Sequence, residues 1–502
     1  MLTEKTSAQV RRLVGFDDAG EPFLSGDKLL RGIYPDHAGL VRRVLRSCEE
    51  HDLFSHGIVQ TRELAENPHP ELAYGMVLEH ERIPFVTYPH EWSASMFKEA
   101  ALFHIALYER LEKHGLTIKD WHPLNILFST TKPVFVDFTS IIPISDLPKQ
   151  PHLQSGLPPR GMDRLWDATS KAVYEMYRLM FEPYFGLPLV MMHRNRHALA
   201  RRRIYETTLN AAEAKSIITR REAFEGSLAG RIMYELEARR LYVALLEKGL
   251  QKPRFFHRLR RIIGSRKAAL RGSAYSSYYE DKNEAFDPTV SSSWTNKQRG
   301  VHEALTRFKP RTVLDLGSNT GWFSKLAAML GSSVVAVDLD EASIDRLYHD
   351  ARREELDVLP LVANLTKPLP ALHSKVFKNE PSLSLIGEGG PLLAPADERL
   401  QCEMVLALAI IHHLSLGQGL TFAAIADILG RLATKYLCVE FVEIDDAMIT
   451  GDPGFFPAWT ADKGAFGFYT RDNFIAALRE HFQTVEILPS HPETRSLLIC
   501  AK

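Results

Sequence analysis

The chain has 502 residues, 45% of them hydrophobic and 25% charged, and its 61 Lys and Arg against 62 Asp and Glu give a formal net charge of −1. This composition excludes a mostly disordered, collagen-like or coiled-coil chain, and the length implies two or three domains. The charge is unevenly placed: residues 191–274 hold 20 Lys or Arg against 7 Asp or Glu, leaving 41 against 55 elsewhere, so a basic middle lies between acidic flanks.

In chain order, residues up to about 90 mix short apolar runs with Gly and Pro and predict a small α+β region. From Met96 to His114, apolar positions at Ala101, Ile105, Tyr108 and Leu111 predict a helix that Gly115 ends. The runs NILF and PVFVDF, separated by STTK, predict a hairpin. Residues 162–250 read as largely helical. Gln251 to Arg271 carries eight Lys or Arg and no acid, and Ala274 to Ser293 reads as a linker. From about Gly300 the pattern alternates strand and helix through TVLDLG, SVVAVDLD, MVLALAII, YLCVEFV and SLLICA. That alternation predicts a doubly wound, Rossmann-like α/β sheet. The expected division is an N-terminal, largely helical α+β domain over 1–250, a basic helix and linker over 251–295, and the α/β domain over 296–502.

The cysteines Cys48, Cys402, Cys438 and Cys500 form no CxxC pair. The spacing excludes a disulfide framework and the common zinc sites, so no metal centre is expected from them. The N-terminus lacks the apolar stretch of a secretory signal, and the longest apolar run, Met404 to Ile411, is far short of the ~20 residues of a spanning helix. A soluble, cytoplasmic protein is expected.

The sharpest chemical signal lies in RTVLDLGSNTGWFSKLAAMLGSSVVAVDLD. A strand runs into Gly317-Ser318-Asn319-Thr320-Gly321, a helix begins near Trp322, and the next strand ends in Asp338. Glycines let the backbone turn tightly beside a ligand, and an acid at the end of the second strand can take both ribose hydroxyls of an adenosine. Asn319 stands where a dinucleotide fingerprint needs its middle glycine. The spacing DxGxxxG instead resembles motif I of class I S-adenosylmethionine (SAM) methyltransferases. The resemblance implies that Asp315 sits near the methionine part of the cofactor, that Gly317, Ser318, Asn319 and Gly321 form the turn, and that Asp338 binds ribose. It places Asn364, after a third strand VLPLVANL, near the adenine amine, where the family often has an acid. The loop after the fourth strand, MVLALAIIHHLSL, faces cofactor and acceptor in this family, so His413 or His412 is a candidate general base. Glu440, near the end of the fifth strand, is a candidate substrate-site carboxylate. No cysteine cluster supports radical SAM chemistry.

A second constellation is KDWHPLNILF followed by PVFVDFTSI. It resembles the catalytic loop and metal-binding aspartate of kinase-like and aminoglycoside-phosphotransferase-like enzymes. The resemblance implies that Asp120 accepts a hydroxyl proton and that Asn125 and Asp137 hold magnesium on ATP. The departures are that Ile118 replaces the usual His, Thr139 follows Asp137-Phe138, and no glycine-rich loop is clear, Gly15 and Gly20 being a poor match. Lys28 and Arg31 are the candidates for phosphate contact. The reading taken is a degenerate kinase-like domain that aids substrate binding.

Together the halves resemble a bacterial family of long class I SAM-dependent methyltransferases that includes a nodulation protein. The matching segments are IPFVTYPHEWSASMFKEAAL, KDxxxxN with PVFxD, LDLGxNTGxFS, ALAxIHHL and EFV, standing from Ile83 to Ile142 and from Val313 to Val442. Tyr88, Glu91 and Trp92 belong to these motifs, for packing or for a substrate cleft. The basic stretch 252–271 reads first as a linker helix packed on the acidic domains. A peripheral contact with an anionic membrane surface is the alternative, and nucleic acid is disfavoured because no RNA-binding aromatic motif accompanies it. The expected function is a SAM-dependent methyltransferase acting on an O or N of a small molecule or saccharide. The alternatives are a bifunctional kinase-methyltransferase using Mg-ATP and a non-catalytic SAM-binding scaffold.

Overall fold

The computed structural model describes residues 10–13, 17–146, 181, 184–193, 197–206, 252–265, 270, 286–289, 292–364, 394–450 and 466–502. The chain forms two units, Met1–His90 with Ala94–Ala269, and Glu91–Ser93 with Leu270–Lys502. No helix among the described residues is long and apolar enough to cross a membrane.

The first unit opens with β1 (Val10–Arg12), β2 (Gly20–Ser25), β3 (Lys28–Ile33), α1 (Pro35–Glu50), β4 (Thr61–Glu63) and β5 (Met76–His80). The strands form one antiparallel sheet in the order β1-β2-β3-β5-β4. Next come α2 (Ala94–Glu112), β6 (Leu116–Ile118), β7 (Ile126–Ser129), β8 (Lys132–Phe135) and β9 (Ile141–Pro143). β7 and β8 make the expected hairpin, and β6 pairs with β9. Gly115, at φ 71°, takes the left-handed conformation just after α2, as its role as a helix stop requires. Helices α3 (Leu187–His193), α4 (His197–Glu206) and α5 (Lys252–Ser265) complete what is described. The rest of the helical prediction over 162–250 and most of the linker at 274–293 lie outside the described residues.

The basic helix belongs to the first unit rather than to a linker. Phe256 and Leu259 of α5 are buried, and the Phe256 ring packs 4.8 Å from Tyr108 and 5.8 Å from Trp121. Phe256 and Leu259 are therefore covered by the protein itself, while Arg260 reaches Glu109 at 2.5 Å. Residues 266–269 and 271 of the basic stretch lie outside the described residues.

The second unit contains α6 (Asn296–Phe308), β10 (Thr312–Leu316), α7 (Trp322–Met329), β11 (Ser333–Asp338), α8 (Glu341–Arg353) and β12 (Val358–Val362). It continues with β13 (Cys402–Ala407), α9 (Phe422–Leu432), β14 (Ala433–Val442), α10 (Arg471–Leu478), β15 (Thr484–Pro489) and β16 (Arg495–Ala501). The sheet order is β12-β11-β10-β13-β14-β16-β15. The first five strands run parallel, and β16 lies antiparallel between β14 and β15. Successive strand residues point to opposite faces, yet nearly every residue of β10, β11, β12 and β13 is buried. Both faces of the sheet are therefore covered, which is why these strands read as continuous apolar runs. The order reverses between β10 and β13, and a doubly wound sheet opens a ligand crevice at that switch point.

Glu91–Ser93 fold with this unit. The Glu91 carboxylate accepts from the Arg399 guanidinium, Nη1 to Oε2 at 2.8 Å with a second, shorter contact, and both side chains are almost fully buried. Trp92 is fully buried. Tyr88, the third of these motif residues, is also buried.

Candidate functional site

The crevice is built from the ends of the parallel strands. β10 carries Asp315 and runs into Gly317 at φ 70°, Asn319 at φ 52° and Gly321 at φ 81°, three left-handed residues within five positions. A Cβ on Gly317 would sit 3.0 Å from Ile410 Cγ2, and one on Gly321 would sit 2.4 Å from Leu347 Cδ1. The glycines are therefore required by both backbone angle and close approach. The turn is held by Asp338, whose two carboxylate oxygens accept the backbone N–H of Asn319 and of Asp340, both at 2.8 Å. The Thr320 N–H donates to the Asn319 side chain at 2.6 Å, so Asn319 closes the turn on itself.

These residues line a cavity of about 830 Å³ with Asp315, Ser318 and Asn364. Asn364 lies two residues beyond β12 rather than at its end. The cavity fits the cofactor that the motif implies. It has the Asp338 carboxylate and the Asn364 amide in its lining, a cradle that a Cβ would fill, and the buried Ser318 hydroxyl, which has no hydrogen-bond partner among the described residues. Asp315, fully buried, accepts from the Ser324 hydroxyl at 2.5 Å. Burial, aided by the nearby Asp338, pushes its carboxyl up to about 6, against the Ser324 hydrogen bond and the Lys297 charge.

That position has a testable consequence. A cationic ligand favours the ionised form of Asp315, and with a pKa near 6 about nine-tenths of the carboxyl is protonated at pH 5. SAM, whose amine and sulfonium are cationic, is expected to bind about tenfold more weakly at pH 5 than at pH 7.5. Calorimetry at the two pH values measures this, and Asp315→Asn should flatten the difference.

The other wall comes from the loop after β13 and from the distant ends of the unit. His412 and His413 lie with ring centroids 4.1 Å apart, and both line the cavity. Burial first, then the charges of His413 and Arg495, push His412 down to about 2. His413 is lowered by burial and by Arg495. Both rings are thus neutral at neutral pH, and the less buried His413 is the better placed to accept a proton. Glu440 is placed differently from the expectation. It is fully buried behind the lining, accepts from Lys297 Nζ at 2.8 Å and from the Ser490 hydroxyl, and does not line the cavity. It anchors Lys297, which does line the cavity, 5.5 Å above the Phe323 ring.

Lys297 and Arg495 are functional candidates that the sequence reading missed. Lys297 lies in the first turn of α6, whose start is fixed by a capping box between Thr295 and Gln298. The string TNKQ carries that signal, but nothing local ties it to the glycine turn. Arg495 stands at the start of β16 and reaches the site only because β16 inserts beside β14. No local signal marks it.

In the first unit the kinase-like residues do come together. Asn125 Nδ2 donates to the Asp120 carbonyl at 3.1 Å, and the Asp120 carboxyl is raised by burial and by Asp137. Arg31, on β3, places Nη2 3.6 Å from Asp137 Oδ1. The same guanidinium donates to Asp17 Oδ2 and Thr139 Oγ1, both at 2.7 Å, and Lys119 Nζ reaches Asp17 at 3.2 Å. Burial raises the Asp17 carboxyl, but the hydrogen bonds from Thr139 and Ala19 with Lys119 and Arg31 outweigh it and hold it low. Asp17, between β1 and β2, thus occupies the region facing Asp137 where a glycine-rich loop was sought. Gly15 lies outside the described residues.

The strand order, the glycine turn at the sheet's switch point and the cavity that it lines define the class of the second unit: a class I SAM-dependent methyltransferase domain. In agreement, residues 278–367 match the model of a family described as tellurite resistance protein TehB. The chain is 24% identical over 488 residues to nodulation protein NoeA of Rhizobium meliloti (strain 1021), an alignment that covers 95% of this chain and 93% of that protein.

Among solved structures, TehB from Haemophilus influenzae matches at TM-score 0.28 and 15% identity, covering 45% of this chain and 67% of that one. The bifunctional kinase-methyltransferase WbdD matches at TM-score 0.27 and 15% identity, covering 40% of this chain. The match spans only 37% of that WbdD chain. Likeness of this degree leaves the fold assignment to the strand order itself.

Proposed function

We propose that the protein transfers a methyl group from SAM to an oxygen or nitrogen of a small-molecule or saccharide acceptor. The observation that carries this reading is that one cavity joins the cofactor-type turn, Asp315 to Asp338, to the His412–His413 loop. Bound SAM would supply an electrophilic methyl on a sulfonium. The chain's own residues do the rest. Asp338 and Asn364 hold the nucleoside end, Asp315 and Ser318 the amino-acid end, and the neutral His413 takes the proton of the acceptor's O–H or N–H. The apolar wall of Ile425, Ile428 and Met448 excludes water. Incubating the protein with methyl-labelled SAM and a small-molecule extract of its host tests this. Label is expected in a low-mass product; SAM binding with no labelled product would favour a non-catalytic SAM-binding scaffold.

A second reading, that the first unit also uses Mg-ATP, is favoured by one observation: a cation on β3, Arg31, faces Asp137. Against it, the Arg31 guanidinium is already engaged by Asp17 and Thr139. We infer a degenerate site that aids acceptor binding. Calorimetry with Mg-ATP is expected to show no binding in the natural chain. Binding that Asp137→Ala removes would instead establish a working nucleotide site.

A further inference from the structure

The cavity of the second unit is lined by charges of both signs. Among the described residues three carboxylates line it, Asp315, Asp338 and Asp340, all at the ends of β10 and β11 where the cofactor is read. The same described lining includes two permanent cations, Lys297 and Arg495. Both line the same cavity as the His412 ring.

Each cation has a carboxylate partner, and neither partner lines the cavity. Glu440, behind Lys297, is fully buried, and Asp446, behind Arg495, is 1% exposed. Arg495 holds Asp446 through Nε at 2.8 Å and Nη2 at 3.1 Å, and the Thr494 hydroxyl supports the same carboxylate at 2.6 Å. Of each ion pair, therefore, the cation lines the cavity and its carboxylate partner does not. An ammonium group brought there would meet two fixed cations. An oxyanion would meet N–H donors already held in place, the condition for strong charge-assisted hydrogen bonds.

We propose that the methyl acceptor carries an oxyanion, a carboxylate or a phosphate, that is seated against Lys297 and Arg495. The nearby Ile425, Ile428 and Met448 then meet an apolar part of the same molecule, so the acceptor is an amphipathic acid rather than an amine. This inference rests on reading the cavity as the methyl-transfer site.

Calorimetry separates the two. S-adenosylhomocysteine (SAH) is titrated first, then inorganic phosphate, acetate or methylammonium is titrated into the SAH-saturated protein. The expected result is SAH binding, millimolar binding of phosphate or acetate, and none of methylammonium; the stronger of the two anions tells which acid the site prefers. Lys297→Gln and Arg495→Gln are each expected to weaken the anion about tenfold or more. A variant that still binds SAH is folded. If Arg495→Gln is not, Arg495→Gln with Asp446→Asn removes both charges together and avoids a lone buried carboxylate. SAH binding without anion binding, anion binding that survives both substitutions, or preference for methylammonium would each overturn the proposal. Failure of SAH itself to bind would overturn the underlying site reading, and the proposal with it.

Discussion

Gly317→Arg is expected to abolish SAM binding, a loss of about a hundredfold or more by calorimetry. Two effects act together. Gly317 sits at φ 70°, where a side chain is strained by about 1–2 kcal/mol. Its Cβ would start 3.0 Å from Ile410 Cγ2, and Gly317 lines the cavity, so a long side chain must enter the cofactor's space or displace the turn. Gly331 offers the control: it is also left-handed, at φ 94°, but a Cβ there meets nothing within 4 Å and it does not line the cavity. Gly331→Asn should lose some stability and keep SAM affinity. If Gly317→Arg bound SAM as the natural chain does, the assignment of this turn to the cofactor would be wrong.

Glu91→Ala is expected to destabilise the second unit by about 3–5 kcal/mol, because it strands the buried Arg399 guanidinium without its partner. The transition to follow is the one that SAH raises, since a ligand stabilises only the unit that binds it. Glu91→Leu combined with Arg399→Met, which removes both charges, should recover most of the loss. A single variant as stable as the natural chain would show that the pair contributes nothing. The prediction also bears on fragments: one beginning at Leu270 lacks Glu91 and is expected to show the same weakness.

How much of this was legible in the sequence depends on how local each signal is. The five parallel strands were readable because a strand covered on both faces needs a continuous apolar run, and TVLDLG and SVVAVDLD are such runs. The glycine turn was readable because φ-positive geometry and close approach restrict the residue type at each position. The helix after Ala94 was readable from its period, within two residues at either end. β15 was missed: TVEILP is short, largely exposed and alternates over only its first four residues. The five strands of the first sheet were only a vague α+β expectation, because short antiparallel strands leave weak patterns.

The sequence by itself therefore determined the class of fold, the glycine turn with Asp315, Gly317, Gly321 and Asp338, and the presence of a His pair lining the same cavity. Each of those depends on backbone geometry or on neighbours within a few tens of residues. Only the tertiary structure decided what the other side chains do. It placed Glu440 behind the cavity wall and Lys297 in front of it, 143 residues away in the chain. It brought Arg495 into the cavity that the His pair lines, paired Arg31 with Asp17 beside Asp137, and placed the basic helix in the first unit. Burial and ion pairing between distant segments are set by the sheet's topology, and no local pattern of residues records them.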